Sequence, residues 1–100
     1  MAALNWTDQS VFDLTNIGEF IAKDSVRYAK ITIARIRNAA KMLKKYPLSG
    51  RMLPETETEH IRELIIGNYR LIYHVFSLDR IDILTVHHSA KRLDIESLIK

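Results

Sequence analysis

Alternation of apolar and polar residues between Arg62 and Arg92 constrains the fold more than any other feature of the chain. Side chains of a β-strand point alternately to opposite faces, so this alternation predicts strands. Gly67 and Asn68 tolerate a positive φ and therefore predict a tight two-residue turn. The stretch predicts two β-hairpins formed by three antiparallel strands, Ile61–Ile66, Tyr69–Phe76 and Ile81–His87, with a polar connection at 77–80.

The middle predicted strand has two chemically different faces. The more apolar face, which we expect to meet the core, is formed by Tyr69, Leu71, Tyr73 and Val75. The other face is formed by Arg70, Ile72, His74 and Phe76. In the third strand the two faces are nearly balanced in polarity, so alternation leaves open whether His87 or His88 shares the face of Arg70.

Two helices are predicted before the strands. Thr7 supplies a hydroxyl N-cap and Asp8 a favourable negative charge in the first turn of a helix that runs to about Asp24. Ser25 caps a second helix, which Pro47 ends. Because the break between them is only a residue or two long, the helices must fold back on each other as a hairpin. Residues 1–6 are interpreted as a short strand added to the sheet.

Each predicted helix has one apolar side. In the first helix that side is formed by Val11, Leu14, Ile17, Phe20 and Ile21. In the second it is formed by Val26, Ala29, Ile33, Ile36, Ala40 and Leu43. These spacings of three and four residues are typical of helices that pack lengthwise on a neighbour. Gly18 costs a helix about 1 kcal/mol relative to alanine, which suggests close packing at that point.

The order of these elements predicts an α+β fold, in which an N-terminal strand and an α-helical hairpin pack on a small antiparallel β-sheet. One hundred residues fit a single domain spanning residues 1–100. The absence of cysteine excludes disulfides and thiolate metal sites and fits a reducing compartment. With no apolar run of about 18 residues and no basic-then-apolar leader, we expect a cytoplasmic protein without a membrane partner.

Charge is distributed unevenly, although the net charge is only +3. Between residues 25 and 54 there is no acid, and the eight basic residues are Arg27, Lys30, Arg35, Arg37, Lys41, Lys44, Lys45 and Arg51. Such a stripe would attract a polyanion or an acidic protein, although a solvated helix face has the same composition. The connection 48–60 carries Glu55, Glu57 and Glu59 without ligand-spaced partners, so we expect a solvated acidic loop and no metal site.

The polar face of the sheet suggests one kind of chemistry. Arg70, His74 and one of the later histidines would lie together on the face that the helices leave open. An imidazole can move a proton near neutral pH and a guanidinium can neutralise charge that develops on a phosphate, so this set fits phosphodiester cleavage. The same side chains also fit an ordinary solvated strand. The sequence contains no nucleophile elbow, P-loop, dinucleotide fingerprint or zinc motif, and we expect no cofactor.

The whole chain resembles the RelE/ParE superfamily of bacterial toxins from type II toxin-antitoxin modules. The residues that carry the resemblance are Trp6, Asp13-Leu14 and Ile17, then Pro47, Gly50-Arg51 and Pro54-Glu55, then Arg62-Glu63-Leu64, Gly67 to Arg70 and Tyr73, and finally Ile83-Leu84, Val86, His88 and Arg92-Leu93. They span nearly the full length in the order that the superfamily has. The resemblance implies a toxin that a cognate antitoxin neutralises in a toxin-antitoxin hetero-oligomer.

The superfamily contains two kinds of toxin. ParE-like members poison DNA gyrase without known catalytic residues of their own, whereas RelE-like members cleave mRNA on the ribosome. RelE-like nucleases carry lysines where this chain has Ile61 and Glu63, and a tyrosine beyond the last strand that is absent here. The link from His88 to Arg92-Leu93 is similar to ParE-type members. The resemblance therefore favours a gyrase poison over an mRNA endoribonuclease.

The resemblance also implies two sets of site residues. The YoeB-like branch of nucleases uses a glutamate, an arginine and a histidine, which correspond to Glu55, Arg70 and His88, although Ser89 replaces the tyrosine that follows there. These three are the catalytic candidates if the protein is a nuclease. The candidates for contact with the target or the antitoxin are Arg51, Arg62, Tyr69 and Arg92.

Overall fold

Two helices cover one face of a sheet whose strands come from both ends of the chain. The structure is a computed structural model that describes residues 1–89, 93 and 97–98. In this part of the chain the elements are β1 (Ala3–Trp6), α1 (Asp8–Ala22), α2 (Val26–Met42), β2 (Arg51–Met52), β3 (Ile61–Ile66), β4 (Tyr69–Ser77) and β5 (Arg80–His88). The strands form one sheet in the order β1-β5-β4-β3-β2. The predicted α+β class is confirmed.

The three long strands follow the predicted hairpins closely. β3 and β4 are antiparallel, and so are β4 and β5. Gly67 has a φ of 58°, which is the left-handed conformation that the tight turn requires of its first residue. The N-terminal strand is also confirmed, but β1 pairs with β5 in parallel, from Ala3 beside Arg80 to Trp6 beside Ile83. The sheet is therefore mixed and not wholly antiparallel.

Both helices begin at the predicted caps. The hydroxyl of Thr7 accepts a hydrogen bond from the backbone N–H of Ser10, and that of Ser25 accepts one from Tyr28. The second helix ends at Met42 and so before Pro47. The chain turns there, and the carbonyl of Lys44 accepts a hydrogen bond from the N–H of Ala2, the residue before β1.

The main core lies between the helices and the sheet. Its buried residues include Leu14, Ile36, Ala40, Leu43, Leu71, Tyr73, Val75, Ile81, Ile83 and Val86. A Cβ built on Gly18 would lie 3.4 Å from Ile33 Cγ1, so the two helices approach closely where the sequence predicted it. Val11, Phe20 and Val26 were expected on the packed sides of the helices but are exposed, because the helices contact the sheet over a narrower stripe than the sequence period suggests.

The opposite face of the sheet, here called the outer face, has a small apolar cluster of its own. It consists of Leu53, Ile61 and Ile72, with Leu84 and Leu93 packed beside them. Leu53 belongs to the connection 48–60, where the sequence predicted no regular structure and the structure has the two-residue strand β2. The outer face is thus partly covered. No described helix is long and apolar enough to cross a membrane.

Candidate functional site

Arg70 lies at the centre of an ion-pair network on the outer face. Its Nη1 and Nη2 donate to the two carboxylate oxygens of Glu55 at 2.7 and 2.8 Å. Its Nε and Nη2 donate to the two oxygens of Glu63 at 3.2 and 2.7 Å. The side chain of Arg70 is only 11% exposed, and that of Glu63 is fully buried. Arg70 is therefore held by two carboxylates from different elements.

Register explains why these groups meet. Glu63 of β3 lies opposite Ile72 of β4, so it points to the same face as Arg70, two residues earlier in β4. Arg51 of β2 lies opposite Glu63 and donates to its Oε1 at 3.1 Å. The network thus combines two guanidinium groups with two carboxylates, and its formal charges cancel. It joins the connection 48–60 to the sheet.

The ion pairs also shift the pKa values of Glu55 and Arg70. The hydrogen bonds from Arg70 hold the pKa of Glu55 below its ordinary value. The same bonds, together with those to Glu63, raise the pKa of Arg70 further above its already high ordinary value. Neither group is suited to exchange a proton near neutral pH. Arg70 is a permanent cation, and each of its three side-chain nitrogens already donates to a carboxylate.

The two histidines at the end of β5 point to different faces. Arg70 lies directly opposite His87, whereas Tyr69 lies opposite His88. The rings of Tyr69 and His88 meet edge to face with their centroids 5.5 Å apart, and Tyr69 packs against the main core. His87 therefore shares the face of Arg70, and His88 lies on the helix-covered face. The structure brings together Glu55 and Arg70 of the nuclease candidates but does not bring His88 to them.

The remaining predicted contact residues are spread over the molecule. Arg51 and Arg70 belong to the same network, while Arg62 points to the helix-covered face and donates to the carbonyl of Gly50 at 2.9 Å. The hydroxyl of Tyr73, opposite Arg62, accepts a hydrogen bond from the Gly50 N–H at 2.9 Å. Arg62 thus helps to fasten the connection to the sheet. Arg92 lies outside the described residues.

A second polar cluster occupies the far end of the outer face. His74 is on the face of Arg70, as predicted, but four residues away along β4, which is about 13 Å at strand spacing. Its ring lies against Phe76 with centroids 3.9 Å apart, and the Arg80 guanidinium lies 4.3 Å from the centre of the Phe76 ring. Burial lowers the pKa of His74. Among the described residues, no group of side chains is arranged to hold a metal ion.

The helix side of the molecule carries a groove of about 1150 Å³ between α1, α2 and β1. Its apolar lining includes Trp6, Leu14, Gly18, Ala29 and Ile33. Four basic residues of the predicted stripe lie along its α2 side, namely Lys30, Arg37, Lys41 and Lys44. The sequence predicted the charges but not the groove. The groove forms because α1 and α2 diverge at residues that were predicted to be packed, such as Val26.

Two comparisons with known proteins agree on the class of this chain. Residues 4–93 match the family described as the ParE toxin of the type II toxin-antitoxin system parDE. The chain is 30% identical to Toxin RelE2 of Caulobacter vibrioides over 91 residues, which cover 91% of this chain and 99% of that protein. It is 33% identical to the putative toxin Y4kP of Sinorhizobium fredii over 86 residues, which cover 86% of each chain.

The fold also matches a solved structure. A chain described as the chromosomal ParDE toxin-antitoxin system from P. aeruginosa superposes with a TM-score of 0.72 and 22% sequence identity, and the match covers 88% of this chain and 96% of that one. At that identity the likeness concerns the fold. It agrees with the helical hairpin on a five-stranded sheet found in the described residues.

Proposed function

This chain belongs to the ParE toxin family of type II toxin-antitoxin systems, and we propose that it inhibits bacterial growth by poisoning DNA gyrase. A poison of this kind binds its target and needs no proton-transfer residues of its own. A nuclease of the alternative kind must bring an acid or base and a phosphate-binding cation to one point. The two mechanisms therefore differ in what they require of Arg70 and the histidines.

The observation that carries the proposal is the engagement of Arg70 by Glu55 and Glu63. An arginine that stabilises a phosphate in a transition state must have donors directed at the substrate. Here the donors at 2.7 and 2.8 Å already satisfy Glu55, whose oxygens would repel a phosphate. His88, the predicted proton-transfer group, belongs to the other face. This arrangement supports a structural role for Arg70.

The second candidate function is a ribosome-dependent mRNA endoribonuclease. One observation favours it: His87 lies directly opposite Arg70, on the outer face that also holds Glu55. A nuclease of this kind would use His87 where the resemblance suggested His88. Glu55 would have to leave Arg70 before the guanidinium could meet RNA.

We infer that the cognate antitoxin occupies the groove on the helix side. The groove offers apolar side chains at its floor and four cations along α2, so it fits an amphipathic segment with acidic residues on one edge. Glu19 is the one acidic residue among its described lining residues. Charge therefore favours an acidic occupant over a basic one.

Gyrase is tested directly with purified components. Toxin is added to gyrase, ATP and supercoiled plasmid, and linear DNA is scored after the enzyme is denatured and digested. We expect linear DNA to accumulate in proportion to toxin. A parallel translation extract is examined for cuts in mRNA, and cuts without any linear plasmid would reject the gyrase proposal in favour of the nuclease.

Histidine variants separate the two mechanisms further. His87→Gln and His88→Gln should both remain toxic if gyrase is the target, because no proton transfer is involved. For a nuclease that uses His87, the His87→Gln variant should lose about 10²–10⁴-fold in mRNA cleavage while His88→Gln retains it. Circular dichroism establishes that both variants are folded.

The antitoxin site is tested through Trp6, the one tryptophan of the chain, which lines the groove. The antitoxin is used as a variant without tryptophan, so that the emission comes from Trp6 of the toxin. Binding of this antitoxin should shift the Trp6 emission to shorter wavelength. Arg37→Glu on the groove side should weaken binding, and Arg35→Glu on the other side of α2 is the matched control. Equal effects of the two variants would place the antitoxin elsewhere.

A further inference from the structure

Five basic residues lie in a row along one side of α2 and the turn after it. This row, here called the cationic ridge, consists of Arg27, Lys30, Arg37, Lys41 and Lys44. Their spacing follows the helical steps of three and four, with Ala34 filling the single gap. Over 17 residues an α-helix extends about 26 Å, so the ridge is long compared with a single side-chain contact.

No ion pair in the described part of the chain compensates the charges of the ridge. No acidic residue occurs between positions 25 and 54. In the described part of the chain the ion pairs involve Arg51, Arg70 and Arg80, and no residue of the ridge takes part in one. Arg27, Lys30, Arg37 and Lys41 are exposed, and Lys44 is half-buried. Like charges in one row repel each other, so the ridge gains most from a ligand that is itself a row of negative charges.

Duplex DNA fits this requirement better than an acidic protein does. It carries one negative charge per about 1.7 Å of axis, so a length of about 26 Å offers about 15 phosphate charges, and each ridge cation meets one whatever the sequence. An acidic helix would need carboxylates at matching positions. Such a helix would also lie in the groove. Because Arg27 is not among the residues that line the groove, the helix would leave this ridge cation without a partner.

We propose that the cationic ridge binds the phosphate backbone of duplex DNA and holds the toxin on the DNA segment where its target acts. The inference rests on the proposed gyrase function, because gyrase works on DNA, and it adds a second macromolecular contact on the toxin. Four of the five ridge residues also line the groove, so an antitoxin in the groove would cover most of the ridge. Neutralisation would then remove the toxin from DNA as well as from its target.

The test measures binding of the full-length toxin to a fluorescent 20-base-pair duplex, without gyrase or antitoxin, as a function of NaCl. Five phosphate contacts predict a slope of about −4.5 for log K against log salt, which corresponds to about a 500-fold loss between 50 and 200 mM. The double variant Arg37→Gln/Lys41→Gln should give a slope of about −2.7. The matched control Lys23→Gln/Arg35→Gln removes the same charge away from the ridge and should leave the slope close to that of the wild type.

Three results would decide against the DNA-binding proposal. Absence of binding at 50 mM salt, or an equal change of slope in the ridge and control variants, would show that the ridge is not a DNA site. A ridge variant that keeps its DNA affinity but loses its affinity for the antitoxin would show that the ridge serves the acidic antitoxin alone. Because gyrase is absent from the assay, DNA binding without plasmid cleavage in the gyrase experiment would reject the proposed function alone.

Discussion

Glu55 and Arg70 form a two-point ion pair although 15 residues separate them, with Oε2 2.7 Å from Nη1 and Oε1 2.8 Å from Nη2. The carboxylate comes from the connection 48–60, and the guanidinium comes from β4, the middle strand of the sheet. A planar guanidinium matches a carboxylate in this geometry, which makes the pair stronger than a single-point surface contact. The pair holds the connection down over the outer apolar cluster that contains Leu53.

Replacing Glu55 should therefore weaken the fold and not only a surface charge. We expect Glu55→Gln to lower the free energy of unfolding by about 1 kcal/mol, because the Glu55 side chain is still one-third exposed and part of the gain is screened by solvent. Urea unfolding at pH 7 measures the change. Glu57→Gln, an exposed acid in the same connection, is the control and should have almost no effect.

The same pair predicts a dependence on pH. Arg70 lowers the pKa of Glu55 in the folded state below its ordinary value of 4.5. The stabilisation by Glu55 is thus fully present above pH 4.5 and is lost as the pH falls through the lower folded-state pKa. The difference in stability between wild type and Glu55→Gln should shrink over that acidic range. A difference that stays constant down to pH 2 would mean that the Glu55 carboxylate does not support the fold.

Replacing Arg70 should lower the free energy of unfolding more than replacing Glu55, because loss of Arg70 leaves the buried carboxylate of Glu63 with Arg51 alone. We expect Arg70→Ala to cost about 3 kcal/mol, the lower end for breaking a buried pair. Arg70→Lys keeps the charge but loses the two-point geometry, so it should cost less. Chemical denaturation ranks the two variants.

Growth inhibition by the Arg70 variants bears on the function. Under the gyrase proposal Arg70→Lys should remain toxic as long as it is folded, because Arg70 acts through the fold. Loss of toxicity in a variant with unchanged stability and antitoxin binding would instead show that the guanidinium contacts the target or an RNA.

The fold was largely predictable because local signals agreed with one another. Thr7 and Ser25 cap the helices where expected, and Gly67-Asn68 forms the tight turn. β2 was not predictable, because a two-residue strand has no period of its own and exists only through its pairing with β3. The parallel direction of β1 likewise depends on β5, which lies about 80 residues away in the chain.

The candidate site was predicted only in part, because strand registers and loop paths determine it. Alternation correctly predicts that Arg70 lies on the outer face. A β-bulge after Ile72 shifts the register between β4 and β5, so the sequence alone does not predict which side chains of β5 share that face. The resemblance says of Glu63 only that it stands where RelE-like nucleases carry a lysine, and it assigns Glu63 no partner. The sequence signal is that alternation places Glu63 on the same face as Ile61 and Ile65. A carboxylate that is buried on such a face requires a partner.

Gly50 is the second anchor of the connection, and its size matters more than its flexibility. A Cβ at this position would lie 2.5 Å from both the Glu63 carbonyl oxygen and the Tyr73 hydroxyl. We expect Gly50→Ala to lower the free energy of unfolding by about 1–3 kcal/mol through this overlap. Tyr73→Phe should cost about 1 kcal/mol, because the Gly50 N–H loses its acceptor.

The two variants at this anchor can be checked against each other. If the clash with the Tyr73 hydroxyl dominates, the double variant Gly50→Ala/Tyr73→Phe should be more stable than the sum of the single effects predicts. Additive effects in thermal unfolding would contradict a shared contact.

His74 provides a second pH-dependent test of stability on the outer face, at a higher pH than Glu55. Burial lowers its pKa below the ordinary value of 6.5, although the nearby Asp82 carboxylate opposes this, and His60 and Arg80 add to it. Because the protonated form is disfavoured in the folded state, the associated stability is present above pH 6.5 and is lost as the pH falls through the lower folded-state pKa. The His74→Gln variant lacks this titration. We therefore expect the stability of the wild type, measured relative to His74→Gln by urea unfolding, to decline on acidification below pH 6.5. A relative stability that rises on acidification would mean that Asp82 outweighs burial and holds the imidazole in its charged form.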